Sequence, residues 1–258
     1  RVLILTHIRP DGDTVGCAAG LCATLRAMGK TAWLLPSLDA TKVFQDYLQG
    51  RQAPPDFAPG TVVSVDVASL GLLPANAAPY QGRIDLAIDH HPSNEFFAQE
   101  TCLEADKAAC GEIIWKIADH LGIMNSAIAT PLYVAVATDT GCFVYSNVTA
   151  NTHRVAAALM ETGIDYRAAN KRHFRTKTKK RLALEAELLT GIKVADERSA
   201  KRAADVLMER GIRQVFLSMG AEGVLYAGSK GKRRIPNYPA EIRNTTGAGD
   251  SFMAALAM

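Results

Sequence analysis

Long apolar runs are absent from this chain. No stretch of about 18 such residues occurs, so no transmembrane helix is expected. A large charge of one sign is missing too. The 29 Lys and Arg against 26 Asp and Glu leave a net charge of +3, too small to hold nucleic acid by bulk field. The five cysteines (Cys17, Cys22, Cys102, Cys110, Cys142) form no CxxC pair. Their odd number and lack of a disulfide framework point to reduced thiols and a cytoplasmic protein. No signal-peptide pattern precedes the first apolar run, and there are no internal repeats or low-complexity segments. What remains is an ordinary composition, 48% hydrophobic and 21% charged, over 258 residues. That is enough chain for one large or two small domains.

Buried strands are expected at Val2–Leu5, Thr31–Leu35, Thr61–Val65 and Ile84–Ile88, each a short run rich in branched apolar residues. Helices are expected at Thr14–Met28, stopped by Gly29, and at Lys42–Leu48, Gly111–Leu121, Ala127–Ala137, Asn151–Glu161 and Lys177–Leu189. Ala53–Gly60 is a Pro-rich connector. Strands alternating with helices imply an α/β fold, a doubly wound and mainly parallel sheet with helices on both faces. Ligands of such sheets collect beyond the carboxyl ends of the strands.

Four acidic and imidazole clusters fall in the first 143 residues: THIRPDGD (Thr6–Asp13), SVDVAS (Ser64–Ser69), AIDHHPSN (Ala87–Asn94) and ATDTGCF (Ala137–Phe143). Three follow strands, and Asp139 ends a helix. They offer His7, Asp11, Asp13, Asp66, His90 and Asp139 as metal ligands. That is more than one divalent cation needs. It suits two cations sharing a carboxylate, the arrangement that hydrolyses phosphate esters. Asp66 stands alone in an apolar strand, where an unpartnered carboxylate is costly. Carboxylates with neutral imidazoles suit manganese, with magnesium as the commoner but less imidazole-tolerant choice. A plainer reading exists for each cluster taken singly: Asp13 as cap of the Thr14–Met28 helix, Asp139 as the end of a turn.

These clusters resemble the four signature motifs of the DHH phosphoesterase superfamily, most closely its oligoribonuclease/pAp phosphatase (nano-RNase) branch, over about residues 1–193. The resemblance implies that His7, Asp11 and Asp66 hold one metal. It implies that Asp13, Asp66, His90 and Asp139 hold the other, with Asp66 bridging. His91 would contact the scissile phosphate, and Asp89 would orient the neighbouring imidazoles. Substrates would be short RNA or small phosphorylated nucleotides, hydrolysed by a metal-activated water without a covalent intermediate. A homo-oligomer is compatible with all of this. No Gly-Gly-His-like sequence, the family's usual substrate grip, occurs in the chain.

The composition shifts near Val194. A helix (Ser199–Arg210), a strand (Val215–Ser218), a glycine-rich hairpin (Gly220–Gly228) and a basic hairpin tip (Lys230–Arg234) are expected after it. SMGAEGVLYAG (Ser218–Gly228) and NTTGAGDSFMAAL (Asn244–Leu256) resemble the carboxyl-terminal signature of PfkB/ribokinase-type kinases. The resemblance implies an anion hole at Gly247, Ala248 and Gly249, a catalytic base at Asp250, and ATP near Gly220 and Gly223. The domains are therefore expected as a DHH catalytic domain (1–150), a helical connector (151–194) and a partial kinase segment (195–258). That segment is expected to be less stable than the rest, because its apolar faces lack the other half of such a kinase.

Two rivals to the hydrolase follow. One is a carbohydrate or nucleoside kinase using ATP at the GAGD segment, and the other is an impaired protein lacking a substrate-binding domain. The basic run Lys171–Arg181 could track RNA phosphates, though a solvated helix face explains it as well. His120, His153 and His173 lack partner spacing, and Cys142 is expected to pack near the site rather than attack.

Overall fold

The computed structural model of the protein describes residues 1–175, 187–219 and 223–236. The chain divides into two compact units, Arg1–Thr176 and Lys177–Met258.

In the first unit five parallel strands pair in the order β2-β1-β3-β4-β5. They are β1 (Val2–Leu5), β2 (Ala32–Leu34), β3 (Thr61–Val65), β4 (Leu86–Asp89) and β5 (Glu100–Leu103). Alternate strand residues feed two cores. Ile4, Val63, Val65 and Ile88 join one cluster, while Leu3, Leu5 and Val62 join the other. Burial on both faces explains why these strands read as unbroken apolar runs. The first cluster is covered by helices α1 (Gly12–Ala27), α3 (Cys110–His120), α4 (Ser126–Asp139) and α5 (Ala150–Glu161). The second face is covered by the Pro-rich connector through Phe57, and by 3₁₀ turns carrying Leu73 and Ala77. Helices thus flank both faces, α-helices over the first cluster and short 3₁₀ helices over the second. A short α2 (Gln45–Leu48) follows a 3₁₀ turn where one helix was expected over Lys42–Leu48.

Helices α1 and α4 approach closely because α1 carries glycine every fourth residue. A Cβ on Gly16 would strike the Pro131 carbonyl oxygen, and one on Gly12 would strike the Thr138 side chain. The seam brings the start of α1, with Asp13, against the end of α4, with Asp139.

Residues expected to begin a connector belong instead to this first core. Val155, Ala156 and Leu159 of α5 and Ala169 of α6 (Tyr166–Asn170) are buried in it. Lys171–Arg175 forms a π-helical turn. His173 stacks on Phe44 at 5.3 Å and pairs with the Tyr47 hydroxyl at 3.1 Å, and Arg172 bridges Asp46 at 2.6 Å. Arg172 and His173 of the basic run are therefore engaged by Asp46, Phe44 and Tyr47. The rest of it, and most of the Lys177–Leu189 helix, lie outside the described residues.

In the second unit the Glu197–Glu209 helix is opened by a capping box between Asp196 and Ser199. It covers an antiparallel sheet, β6 (Gln214–Ser218), β7 (Val224–Gly228) and β8 (Gly231–Ile235). Ala200, Ala204, Val215, Leu225 and Ala227 form the core. Of the basic stretch expected as a hairpin tip, Lys230 lies in the β7–β8 turn and the rest belongs to strand β8. Its three consecutive cations, Lys232, Arg233 and Arg234, are exposed, and Lys232 pairs with Asp205. No helix among the described residues is long and apolar enough to cross a membrane.

Candidate metal centre

In a parallel sheet of order 2-1-3-4-5 the strand order reverses between β1 and β3, and ligands of such sheets bind there at the carboxyl edge. The first motif leaves β1, the second leaves β3, the third leaves β4, and α4 delivers the fourth to the same place.

Asp11 is the N-cap of α1, accepting from the Thr14 amide at 3.1 Å. Asp13, offered above as that cap, lies inside the first turn and serves a different helix. Its carboxylate accepts from the Cys110 and Gly111 amides at 2.7 and 3.0 Å, at the start of α3. A carboxylate there is favoured by the helix dipole. Asp66 follows β3 with φ of +57°, a left-handed backbone that is costly for a residue with a Cβ, although Asp and Asn tolerate it best. Thr14 Oγ1 donates to Asp66 Oδ2 at 2.5 Å, while Oδ1 is buried with no hydrogen-bond partner among the described residues.

Two of the imidazoles face inward with a defined tautomer. His7 Nδ1 lies 2.7 Å from the Ile8 carbonyl oxygen, and His90 Nδ1 lies 3.1 Å from that of Lys107. A carbonyl only accepts, so the ring proton sits on Nδ1 and the Nε2 lone pair is free to ligate. His7 Nε2 is 3.9 Å from Asp11 Oδ1 and 4.0 Å from Asp66 Oδ2. His90 Nε2 is 3.7 Å from Asp13 Oδ2 and 3.6 Å from both Asp66 Oδ1 and Asp139 Oδ2. These separations are too long for hydrogen bonds. They suit atoms facing a common ion, since two oxygens each bound at ~2.1 Å lie up to ~4.2 Å apart. His7, Asp11 and Asp66 form one such group, Asp13, His90 and Asp139 a second, and Asp66, His90 and His91 a third. All six expected ligands are therefore brought together, with Asp66 between the sets.

The electrostatics agree with a site made for cations. Burial pushes Asp66 up to about 6, with the Asp11 charge adding to it. Burial also raises Asp13, helped by the charges of Asp66 and Asp139, and raises Asp139. Among the described residues, only imidazoles stand within ion-pair distance of these four carboxylates. An orphaned buried oxygen, free imidazole nitrogens and an all-oxygen-and-nitrogen donor set fit a divalent cation.

His91 is held differently. Its Nδ1 is 2.7 Å from Asp89 Oδ1, and its ring is half-exposed. The bond to Asp89 raises the imidazole to about 9 despite partial burial. Burial alone would raise Asp89, yet the bonds from His91 and Asn94 outweigh it and keep the carboxyl below its usual range. Sequence reasoning passed over Thr14, Asn94 and Asn147. Asn94 Nδ2 donates to Asp89 Oδ2 at 2.7 Å, and Asn147 Nδ2 ties the Asp139 and Ala108 carbonyls at 3.2 and 2.9 Å. Asn94 stood inside the third motif, but its partner became visible only in the fold. Cys142 has its thiol pushed up by burial, the opposite of an activated nucleophile.

The pattern of the DHH family, N-terminal domain, matches residues 1–136. The chain belongs to the DHH family. Within its first part it is 33% identical over 171 residues to the bifunctional oligoribonuclease and PAP phosphatase NrnA of Thermus thermophilus, covering 63% of this chain and 50% of that protein. A crystal structure of an exopolyphosphatase-related protein from Bacteroides fragilis shares the fold, with a TM-score of 0.66 at 16% identity over 100% of this chain and 92% of that one. Residues 183–258 match the pfkB family of carbohydrate kinases. Over 69 residues the chain is 48% identical to the ribokinase of Haemophilus influenzae, covering 26% of this chain and 22% of that enzyme. The chain thus spans about half the length of the first relative and about a fifth of the second. The kinase-like positions Gly220, Gly247, Ala248, Gly249 and Asp250 lie outside the described residues.

Proposed function

We propose that the chain is a phosphoesterase that uses two divalent cations to hydrolyse short oligoribonucleotides, small nucleotides of the 3′-phosphoadenosine 5′-phosphate kind, or both. One observation carries this reading. Two candidate ligand groups, His7-Asp11-Asp66 and Asp66-His90-His91, share the buried carboxylate of Asp66, whose Oδ1 has no hydrogen-bond partner among the described residues, and His90 links them to Asp13 and Asp139. The activities that its DHH-family relatives are named for point the same way.

In this reading His7, Asp11 and Asp66 hold one cation, and Asp13, Asp66, His90 and Asp139 hold the other. Mixed carboxylate and imidazole donors favour manganese over magnesium. When bound, such a pair supplies Lewis acidity, making a water acidic enough to attack phosphorus and offsetting charge on the phosphoryl group. The rest falls to the chain. Asp89 fixes the His91 ring through Nδ1, which leaves Nε2 as the free donor for a phosphate oxygen. Asn94 fixes Asp89 in turn.

The test is hydrolysis by the full chain loaded with manganese, using a diribonucleotide and 3′-phosphoadenosine 5′-phosphate. Release of mononucleotide or phosphate is expected, together with its loss in Asp66→Ala along with bound manganese. Absence of release from either substrate by the metal-loaded wild type refutes the assignment.

A further inference from the structure

The loops that leave β1, β3 and β4 are tied to one another. Ile8 N donates to the Leu72 carbonyl at 2.7 Å, Glu95 N to that of Ala68 at 2.9 Å, and Asn94 Nδ2 to that of Val67 at 3.2 Å. Phe96 stands on this scaffold. Its amide donates to Asn94 Oδ1 at 2.8 Å, and its φ is +53°. A left-handed backbone is an outlier for a bulky residue, and it persists only where the surroundings impose it. The ring gains nothing from the core in return. It is 63% exposed, whereas the adjacent Phe97 packs into the second core. Ile8 and Leu72, on the linked loops, are each 41% exposed.

The imposed conformation has a direct connection to the candidate metal centre. From Phe96 the bonds run through Asn94 to Asp89 and on to His91. The carboxylate that orients the His91 imidazole therefore also holds, through Asn94, the backbone from which an exposed aromatic ring projects. A ligand that places a phosphate at His91 and a flat π-face at Phe96 would use both ends. Nucleotides have this form, and every base presents such a face.

We propose that Phe96 is the platform on which a nucleobase of the substrate stacks, an inference that rests on the phosphoesterase reading above. Stacking on an exposed ring is tolerant of base identity, which suits an enzyme for short RNA of any sequence. Ile8 and Leu72 extend the apolar rim beside it.

The experiment compares the manganese-loaded full chain with Phe96→Ala and Phe96→Tyr. Calorimetry measures binding of adenosine monophosphate and of inorganic phosphate, and kinetics follow a diribonucleotide. The wild type is expected to prefer the nucleotide over phosphate. That preference should fall by about tenfold in Phe96→Ala and survive in Phe96→Tyr. KM for the dinucleotide should rise while kcat holds. An equal preference in wild type and Phe96→Ala overturns the proposal, as does a wild type that binds phosphate as well as the nucleotide. If the wild type hydrolyses nothing, the phosphoesterase reading fails by itself, and the two binding constants still decide the role of Phe96.

Discussion

Replacing Asp66 by Asn should make the metal-free protein more stable while abolishing its metal response. Asp66 is raised from 3.8 to about 6 by burial. Its carboxyl therefore ionises at a higher pH in the folded chain than in the unfolded one. Between about pH 4 and 6 the folded state holds a proton that the unfolded state has lost, so stability falls as pH rises through that window. The stabilising protonated form is fully present below pH 4 and gone above 6. A rise of about two pKa units corresponds to about 3 kcal/mol. Asn carries no charge to desolvate, accepts the Thr14 hydroxyl bond through its own oxygen, and tolerates a φ of +57°. Relief of Asp13, which the Asp66 charge raises, adds in the same direction.

In chelator, Asp66→Asn should therefore match the wild type at pH 4 and exceed it at pH 8. For a unit of this size about 3 kcal/mol is roughly 6–12 °C in melting temperature. Manganese at ~100 times its Kd should add about 2.7 kcal/mol to the wild type and far less to the variant, closing the gap. Thermal melts from pH 4 to 8, with chelator and with manganese, read both effects. A chelated variant no more stable than wild type at pH 8, or a difference that ignores pH, refutes the reasoning.

Other perturbations test other parts of the site and fold. Asp89→Asn should lower hydrolysis ~10–100-fold, and His91, now raised to about 9 by Asp89, should titrate nearer 6.5 in an NMR pH series. Gly16→Val should cost ~1–3 kcal/mol in denaturant melts and weaken manganese binding, because its side chain would press on the Pro131 carbonyl and spread Asp13 from Asp139. Glu112, fully buried, accepts from the Ala108 amide, Asn151 Nδ2 and Thr152 Oγ1. Glu112→Ala should cost roughly 3 kcal/mol or more by orphaning those donors, with manganese affinity per folded molecule unchanged by calorimetry.

The parts of this fold that were readable in the sequence are those set by one element at a time. VLIL and TVVSV are buried on both faces, so their apolar runs mark strands without knowledge of the neighbours. The edge strand ETCL is partly exposed and half polar, and nothing local separates it from a loop. The six candidate ligands stood out because carboxylates and imidazoles interrupt apolar runs. Which helix Asp13 serves was not legible, since Cys110 and Gly111 lie nearly a hundred residues away. The same limit hid Thr14 as the partner of Asp66, and the cation-rich turn at Lys171–Arg175, whose His173 is settled against Phe44 and Tyr47. The glycine spacing in α1 was visible, but its meaning depends on Pro131 and Thr138 across the seam.

The ties among Ile8, Leu72, Ala68, Glu95, Val67 and Asn94 join three segments that share no sequence neighbourhood. Their amides should exchange with solvent as one cooperative block, opening together or not at all. A lesion in any one of the three would then loosen its two companions. The three loops should then act as a single stiff lip, and tolerance to insertion should be sought elsewhere on the surface.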